Sequence, residues 1–173
     1  MRALVVHQPG GPEAMRLQQL PAPQPGPHEV VIAVEAVGVN PVDAGNRADP
    51  SWAGVNPPYV VGYELAGRIQ AAGDETRWRH GELVWGLLPV RGTRWGTYAE
   101  LVALDAALVA PRPPNLGAVE AASLPADGSL RPVVDQVLEL ADAAVAHRRV
   151  ESRRGQGKVV LRVAASTTSA TDH

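Results

Sequence analysis

Val30-Val31-Ile32-Ala33-Val34-Glu35-Ala36-Val37-Gly38-Val39, followed at once by Asn40-Pro41-Val42-Asp43, is the stretch whose reading decides the fold. Its two alternating faces are both largely apolar, which predicts a strand lying centrally in a sheet rather than at an edge. Asn40 to Asp43 ends it. Pro41 lacks an N–H and has a fixed φ, so it suits the first position of a short helical turn, with Asn40 as the cap.

Working outward, the chain continues in the same vein. Upstream, Pro21 to Pro27 carries four prolines and cannot pair inside a sheet, so it reads as a surface connector. Ala3 to His7 reads as a strand ended by the turn Pro9-Gly10-Gly11-Pro12, and Met15 to Leu20 as a half-buried strand. Downstream, Glu64 to Ala72, Leu83 to Leu88 and Tyr98 to Ala103 are three more strands, the last two separated by the loop Pro89 to Gly96. Asn115 to Leu124 has helical spacing. After Pro125-Ala126-Asp127-Gly128 the character changes: a strand from Pro132 to Leu138, a helix from Leu140 to Ser152, and a final strand from Lys158 to Val163. In the helix, Leu140, Ala143, Ala144, His147 and Val150 share one face, and Arg148 and Arg149 suit the negative end of its dipole. Ala164 to His173 is small and polar, a flexible tail.

Composition bounds the function. The 173 residues are 45% hydrophobic and 20% charged, values of a globular chain with room for a core. A net charge of -2 and a pI near 6.2 argue against a nucleic-acid partner. Arg148, Arg149, Arg153 and Arg154 cluster without interleaved aromatics, and read as the charged end of a helix. There is no cysteine, which excludes disulfides, thiolate zinc sites and a cysteine nucleophile. The first residues hold too short an apolar run for a signal peptide, and no window approaches the ~20 apolar residues of a membrane span. A soluble, cytoplasmic protein with no membrane partner is expected. The 17 glycines, 16 prolines and absence of phenylalanine point to a β-rich, loop-rich domain whose core is valine, leucine and alanine.

Three ordered stretches together resemble the zeta-crystallin-like quinone oxidoreductases of the medium-chain dehydrogenase/reductase superfamily. The first is Met1 to Arg47, with Gly10-Gly11-Pro12-Glu13 and Val37-Gly38-Val39-Asn40-Pro41-Val42-Asp43. The second runs from Pro58-Tyr59 through Gly62-Tyr63-Glu64-Leu65-Ala66-Gly67 to Gly96-Thr97-Tyr98-Ala99-Glu100. The third runs from Leu130-Arg131-Pro132-Val133-Val134-Asp135 through Ala146-His147-Arg148 to Gly157-Lys158-Val159-Val160-Leu161. The resemblance implies a mainly β fold with short helices (α+β): a GroES-like β-barrel completed by a carboxyl-terminal strand-helix-strand. In that family a Rossmann domain interrupts the catalytic domain. Here Ala121 to Pro125 resembles the run that leads into it, Gly128 to Pro132 the run that follows, and only Ala126 and Asp127 lie between. One catalytic domain is therefore expected over residues 1–163, in parts 1–125 and 128–163, with residues 164–173 as the tail. No G-x-G-x-x-G turn occurs, and no pair of βαβ units fits the remaining length. The missing domain is the part that ordinarily holds NADPH and, in many relatives, a dimerisation strand.

The candidate chemistry follows. Zinc-dependent relatives carry a cysteine near Asn40 and a histidine where Tyr63 stands, so no metal is expected. The resemblance places Asn40 and Asp43 at the mouth of the active-site cleft. An amide can polarise a carbonyl and a carboxyl can relay a proton, although both residues also serve simply to cap the Pro41 turn. Gly45 stands where relatives often have a tyrosine. Tyr63 can donate to a developing oxyanion, and Glu64 can act as a base if burial raises its pKa; a strand-start acid is the plainer reading of Glu64. Trp52, Arg91, Arg94 and Trp95 sit in loops able to hold an anionic or flat ligand, or to cover apolar surface left by the lost domain. The expectation is a small-molecule enzyme that works by acid/base chemistry without a cofactor: a cyclisation, isomerisation or elimination. The alternatives are an NADPH-dependent quinone or enoyl oxidoreductase remnant that needs its nucleotide domain in trans, and a non-catalytic binding protein. A homodimer through the surface exposed by the missing domain is a further expectation.

Overall fold

The computed structural model describes residues 1–123 and 133–163. The long apolar run forms β3 (Glu29–Val39) and lies centrally, as its two apolar faces require. One edge of β3 pairs antiparallel with β5 (Glu64–Ala72). Its other edge is shared by two strands in succession. Residues Glu29 to Ala33 pair with β7 (Leu101–Asp105), and Ala36 to Val39 pair with β10 (Lys158–Arg162). Beyond β5 come β6 (Leu83–Leu87) and β8 (Val109–Pro111). Beyond β10 comes β9 (Val134–Glu139), parallel to it and joined to it by the crossover helix α3 (Ala143–Glu151). A three-stranded sheet holds β1 (Arg2–Val6) between β2 (Met15–Gln19) and β4 (Tyr59–Val60).

The expected mainly β fold with short helices is what the chain forms, but the barrel does not close among the described residues. The larger sheet runs β8-β6-β5-β3-β10-β9, and no pairing joins its ends. The two sheets are stitched instead by the segment before β7: Leu4 N–H donates to Tyr98 O and Glu100 N–H to Arg2 O, at 2.9 and 3.0 Å. That stitch explains a shift from the sequence reading. Tyr98, Ala99 and Glu100 serve β1, so the strand expected from Tyr98 begins only at Leu101. The helix expected from Asn115 shrinks to α2 (Ala118–Ala121), because Pro113 to Leu116 close a turn and Gly117 provides no capping side chain. The carboxyl-terminal helix opens with a 3₁₀ turn over Leu140–Asp142 before α3. The expected junction at Ala126 and Asp127, with its flanks from Leu124 to Pro132, and the tail from Ala164 lie outside the described residues.

The main core joins the two sheets and α3: Val5, Ile32, Leu65, Ile69, Tyr98, Ala146 and Leu161 are all essentially inaccessible. A smaller cluster of Ala36, Ala66, Ala121, Ala122 and Val160 seats α2 on the far face of β3. Among the described residues, no helix is long and apolar enough to cross a membrane.

Candidate functional site

α1 (Pro41–Ala48) starts where β3 ends, with Asn40 as its cap and Pro41 at its first position. A capping box closes the turn, with Asp43 Oδ2 accepting from the Asn40 backbone N–H at 2.6 Å. The Asn40 side chain also reaches β10. Its Oδ1 accepts from the Lys158 ammonium, which also pairs with Glu64 Oε2 at 2.6 Å. Lys158 is the first residue of β10, and the pairing of β10 with β3, Val160 opposite Gly38, delivers it there. Gly38 leaves the room. A Cβ on it would lie 2.5 Å from the Ala122 carbonyl oxygen and 2.9 Å from Lys158 Cε, and would overlap Glu64 Oε2.

Behind this half-buried trio lies a fully buried layer. Asp43, Asn46, Tyr98 and His147 have no accessible surface, and Tyr63 and Arg47 almost none. Asn46 Nδ2 donates to Tyr63 Oη at 2.5 Å, while Tyr59 Oη donates to the carbonyls of Asn46 and Arg47 at 3.0 Å each and so ties the end of α1 to β4. Burial pushes the Asp43 carboxyl up to about 7, against the Asn40 N–H and the Lys158 charge that pull it down. Its Oδ1 has no hydrogen-bond partner. Burial, with the negative charge of Asp43 beside it, raises Tyr63 and Tyr98 above the ordinary phenol value. His147 is pushed down to about 3 by burial and by the Arg47 charge.

A cleft of about 250 Å³ opens at Asn40, Pro41 and Lys158, and its other wall is the end of α3 and the turn after it, with Arg149, Arg153, Gly155 and Gly157. Asp135 holds the Arg149 guanidinium through two bonds of 2.9 and 3.2 Å. Asn40 and Lys158 present an amide and an ammonium at the cleft, the Glu64 carboxylate stands across Lys158 at a separate small pocket with Leu65, Trp85 and Ala122, and a proton-holding carboxyl lies buried behind them. Such a set can polarise a carbonyl and move a proton.

The structure brings the expected Asn40, Asp43, Tyr63 and Glu64 into one cluster. The expected ligand loops stand apart from it. Trp52 and Arg91 are exposed and line neither the cleft nor an apolar cavity beside β4 and β7. Arg94 Nε donates to Pro58 O at 3.0 Å and its guanidinium stacks 5.0 Å over the Trp95 ring. Trp95 walls that separate apolar cavity, of about 390 Å³, with Met1, Leu20, Pro23 and Leu101. Five residues of the cluster were not singled out from sequence: Asn46, Arg47, Tyr98, His147 and Lys158. Asn46 and Arg47 carry a local signal, since they stand three and four residues after Asp43 on the same short helix. Tyr98 and Lys158 carry none, because long-range pairing places them; His147 is read from sequence only as part of the apolar helix face, where it is indeed buried, and nothing in the sequence signals its pairing with Arg47 and Tyr98.

The Alcohol dehydrogenase GroES-like domain family matches residues 26–114. The mouse quinone oxidoreductase is 34% identical over 126 residues, covering 72% of this chain and 37% of that protein. An alcohol dehydrogenase superfamily protein from Novosphingobium aromaticivorans superposes with a TM-score of 0.66 at 30% identity, over 95% of this chain and 52% of that one. A structure titled NAD-dependent alcohol dehydrogenase shares the fold alone, at 20% identity, with a TM-score of 0.86 over 95% of this chain and all of that one. The chain spans about a third of the length of the curated relatives it matches. Together these matches carry the assignment: the chain belongs to the medium-chain dehydrogenase/reductase superfamily, as a quinone-oxidoreductase-like member with its GroES-like catalytic domain.

Proposed function

We propose that the cleft carries acid/base chemistry on a small carbonyl compound, an isomerisation, elimination or cyclisation that passes through an enolate and uses no bound nucleotide. The observation that supports this most is the Lys158 ammonium held between Asn40 Oδ1 and Glu64 Oε2 at the cleft wall. An ammonium has three N–H donors. Asn40 Oδ1 takes one and Glu64 Oε2 stands beside the ammonium as its ion-pair partner at 2.6 Å, which leaves a donor for a carbonyl oxygen in the cleft. Glu64 lines the small pocket on the far side of Lys158, so in this reading it takes the proton from the carbon next to that carbonyl through a bridging water. The electron pair moves onto the oxygen, where Lys158 stabilises the charge, and the proton returns at a second carbon or a leaving group departs. Asp43 is fully buried and acts from behind, as the proton-holding group under Asn40.

Deuterium exchange next to the carbonyl of small ketones and enones, followed by NMR with no nucleotide added, tests the reading. Exchange above the buffer rate is expected, reduced roughly 100-fold or more by Lys158→Met and by Glu64→Gln. Buffer-rate exchange across the panel would sink it.

A second reading is favoured by the matches to quinone oxidoreductases: reduction of an enone or quinone by NADPH held on a nucleotide-binding domain of another chain. The cleft, of about 250 Å³, has Arg149, Arg153 and Lys158 as its cationic groups, the first of them held by Asp135, and the 173 residues contain no Gly-rich turn for a dinucleotide's pyrophosphate. NADPH-dependent turnover that appears only on adding a partner fraction, without nucleotide-free exchange, would select this reading over the first. We also propose a homodimer, for which sedimentation velocity showing a monomer at micromolar concentration is the adverse result.

A further inference from the structure

From the buried face of the same site, we propose that His147 and Tyr98 are positioning residues that aim a hydrogen-bond donor at the Asp43 carboxyl, with His147 locked by Arg47 in its Nε2–H tautomer. The proposal rests on the reading above only in taking Asp43 as the proton-holding group behind the cleft.

The line begins at the surface. Arg47, on α1, donates through Nη2 to Glu151 Oε1 at 2.7 Å, through Nε to Gly10 O at 2.9 Å, and through Nη1 to His147 Nδ1 at 3.1 Å. A guanidinium has no lone pair to offer, so Nδ1 must be the acceptor. The ring proton is then on Nε2, which faces Tyr98 Oη at 3.2 Å and donates to it. The two rings meet edge to face, 5.7 Å between centroids, which holds the imidazole plane in place. With its oxygen engaged by His147, Tyr98 directs its own proton elsewhere. The Asp43 carboxyl stands beside that hydroxyl, and its fully buried Oδ1 accepts no hydrogen bond with the side chains as placed, so a turn of the Tyr98 O–H toward it supplies the donor it lacks. An imidazolium does not fit here, because a second N–H at Nδ1 would meet the Arg47 cation head on.

Asp43 also feels Glu64 from β5, Lys158 from β10, the Asn40 N–H and the Tyr63 phenol, so the Tyr98 contribution must be separated from theirs. Nitrogen-15 NMR of the full chain, without substrate, reads the tautomer directly. His147 is expected as neutral Nε2–H, unchanged from about pH 7.5 to about pH 5. The Asp43 carboxyl carbon gives its titration midpoint. Tyr98→Phe removes a donor to the charged form and is expected to raise that midpoint by about one pH unit. His147→Phe is expected to raise it as well. His147→Gln offers Oε1 to Arg47 and Nε2 to Tyr98, and is expected to restore the wild-type midpoint; a role confined to filling the core predicts no such rescue. An Nδ1–H tautomer, an imidazole titrating above about pH 5, or one midpoint shared by wild type and Tyr98→Phe overturns the proposal. The wild-type tautomer alone decides if the variants fail to fold. Absent deuterium exchange beside an intact line would instead strike the proposed function and leave this inference standing.

Discussion

Asp43 and His147 are both fully buried, and burial moves a carboxyl and an imidazole in opposite directions. Asp43 titrates at about 7 in the fold against an ordinary 3.8. Between those values the folded chain holds a proton that the unfolded chain has lost, so this residue makes stability fall as pH rises from about 4 to about 7. His147 titrates at about 3 against 6.5. Between those values the unfolded chain holds the extra proton, so this residue makes stability fall as pH drops from about 6.5 to about 3. From about pH 4 to about 6.5 the two proton counts cancel. Asp43→Asn is therefore expected to lose stability on acidification across that window, and His147→Gln to gain it, each by up to about 1.4 kcal/mol per pH unit. Urea midpoints at about pH 4.5 and about pH 6.5 check this, and equal shifts in both variants would refute it. Gly38 has a steric role. A Cβ there meets the Ala122 carbonyl, backbone that cannot swing away, as well as the Glu64–Lys158 pair. Gly38→Ala is expected to cost about 3 kcal/mol and to displace Lys158, read by thermal melting. Asn40 and Asp43 were legible in sequence because a cap is a local device, three residues long. Lys158 and His147 were not, because each lies more than 90 residues from the helix it serves.

The elements divide in the same way, according to how far away their partners lie. β3 was readable with its central place, since a strand with two apolar faces must be covered on both. β5 was readable residue for residue. The two-residue β4 and the three-residue β8 carry no periodic signal at all, and were missed. β7 was misplaced because Tyr98 to Glu100 alternate as a strand does but pair with the other sheet. Helix α1 is only eight residues long and includes Gly45, whose Cβ position meets nothing within 4 Å. So short a helix owes its existence to Pro41, the Asp43–Asn40 bond and the Tyr59 hydroxyl at its end, not to propensity. Glycine at a helix interior costs roughly 0.5–1 kcal/mol relative to alanine. Gly45→Ala is therefore expected to stabilise the chain by that amount without altering the cleft. A lowered melting temperature for this variant would mean that the backbone at Gly45 is under a constraint the packing does not reveal.

At the scale of the whole molecule, the carboxyl-terminal strand-helix-strand is built into the sheet through its internal strand β10, with β9 at the sheet's end. β10 lies between β3 and β9, and Val159, Val160 and Leu161 are buried on it to within 2%. Fully burying a side chain of this size contributes about 1.5–3 kcal/mol, so these three together approach the 5–15 kcal/mol that holds a typical domain. The same segment brings Lys158 to Asn40 and His147 to Arg47, so fold and site share one dependence on it. A chain that ends at Ser123 is accordingly expected neither to unfold cooperatively nor to stay in solution, even though it contains every residue of the matched GroES-like segment. For the full chain a single transition is expected. Fluorescence of the buried Trp78, in the first part, and hydrogen exchange at the amides of Val159 to Leu161, in the second, must report the same free energy within error. Exchange at β10 several kcal/mol easier than the Trp78 transition would show a segment docked on a domain already stable without it. The cleft would then be a site that opens and closes with that segment, and Lys158 would spend part of its time away from Asn40 and Glu64.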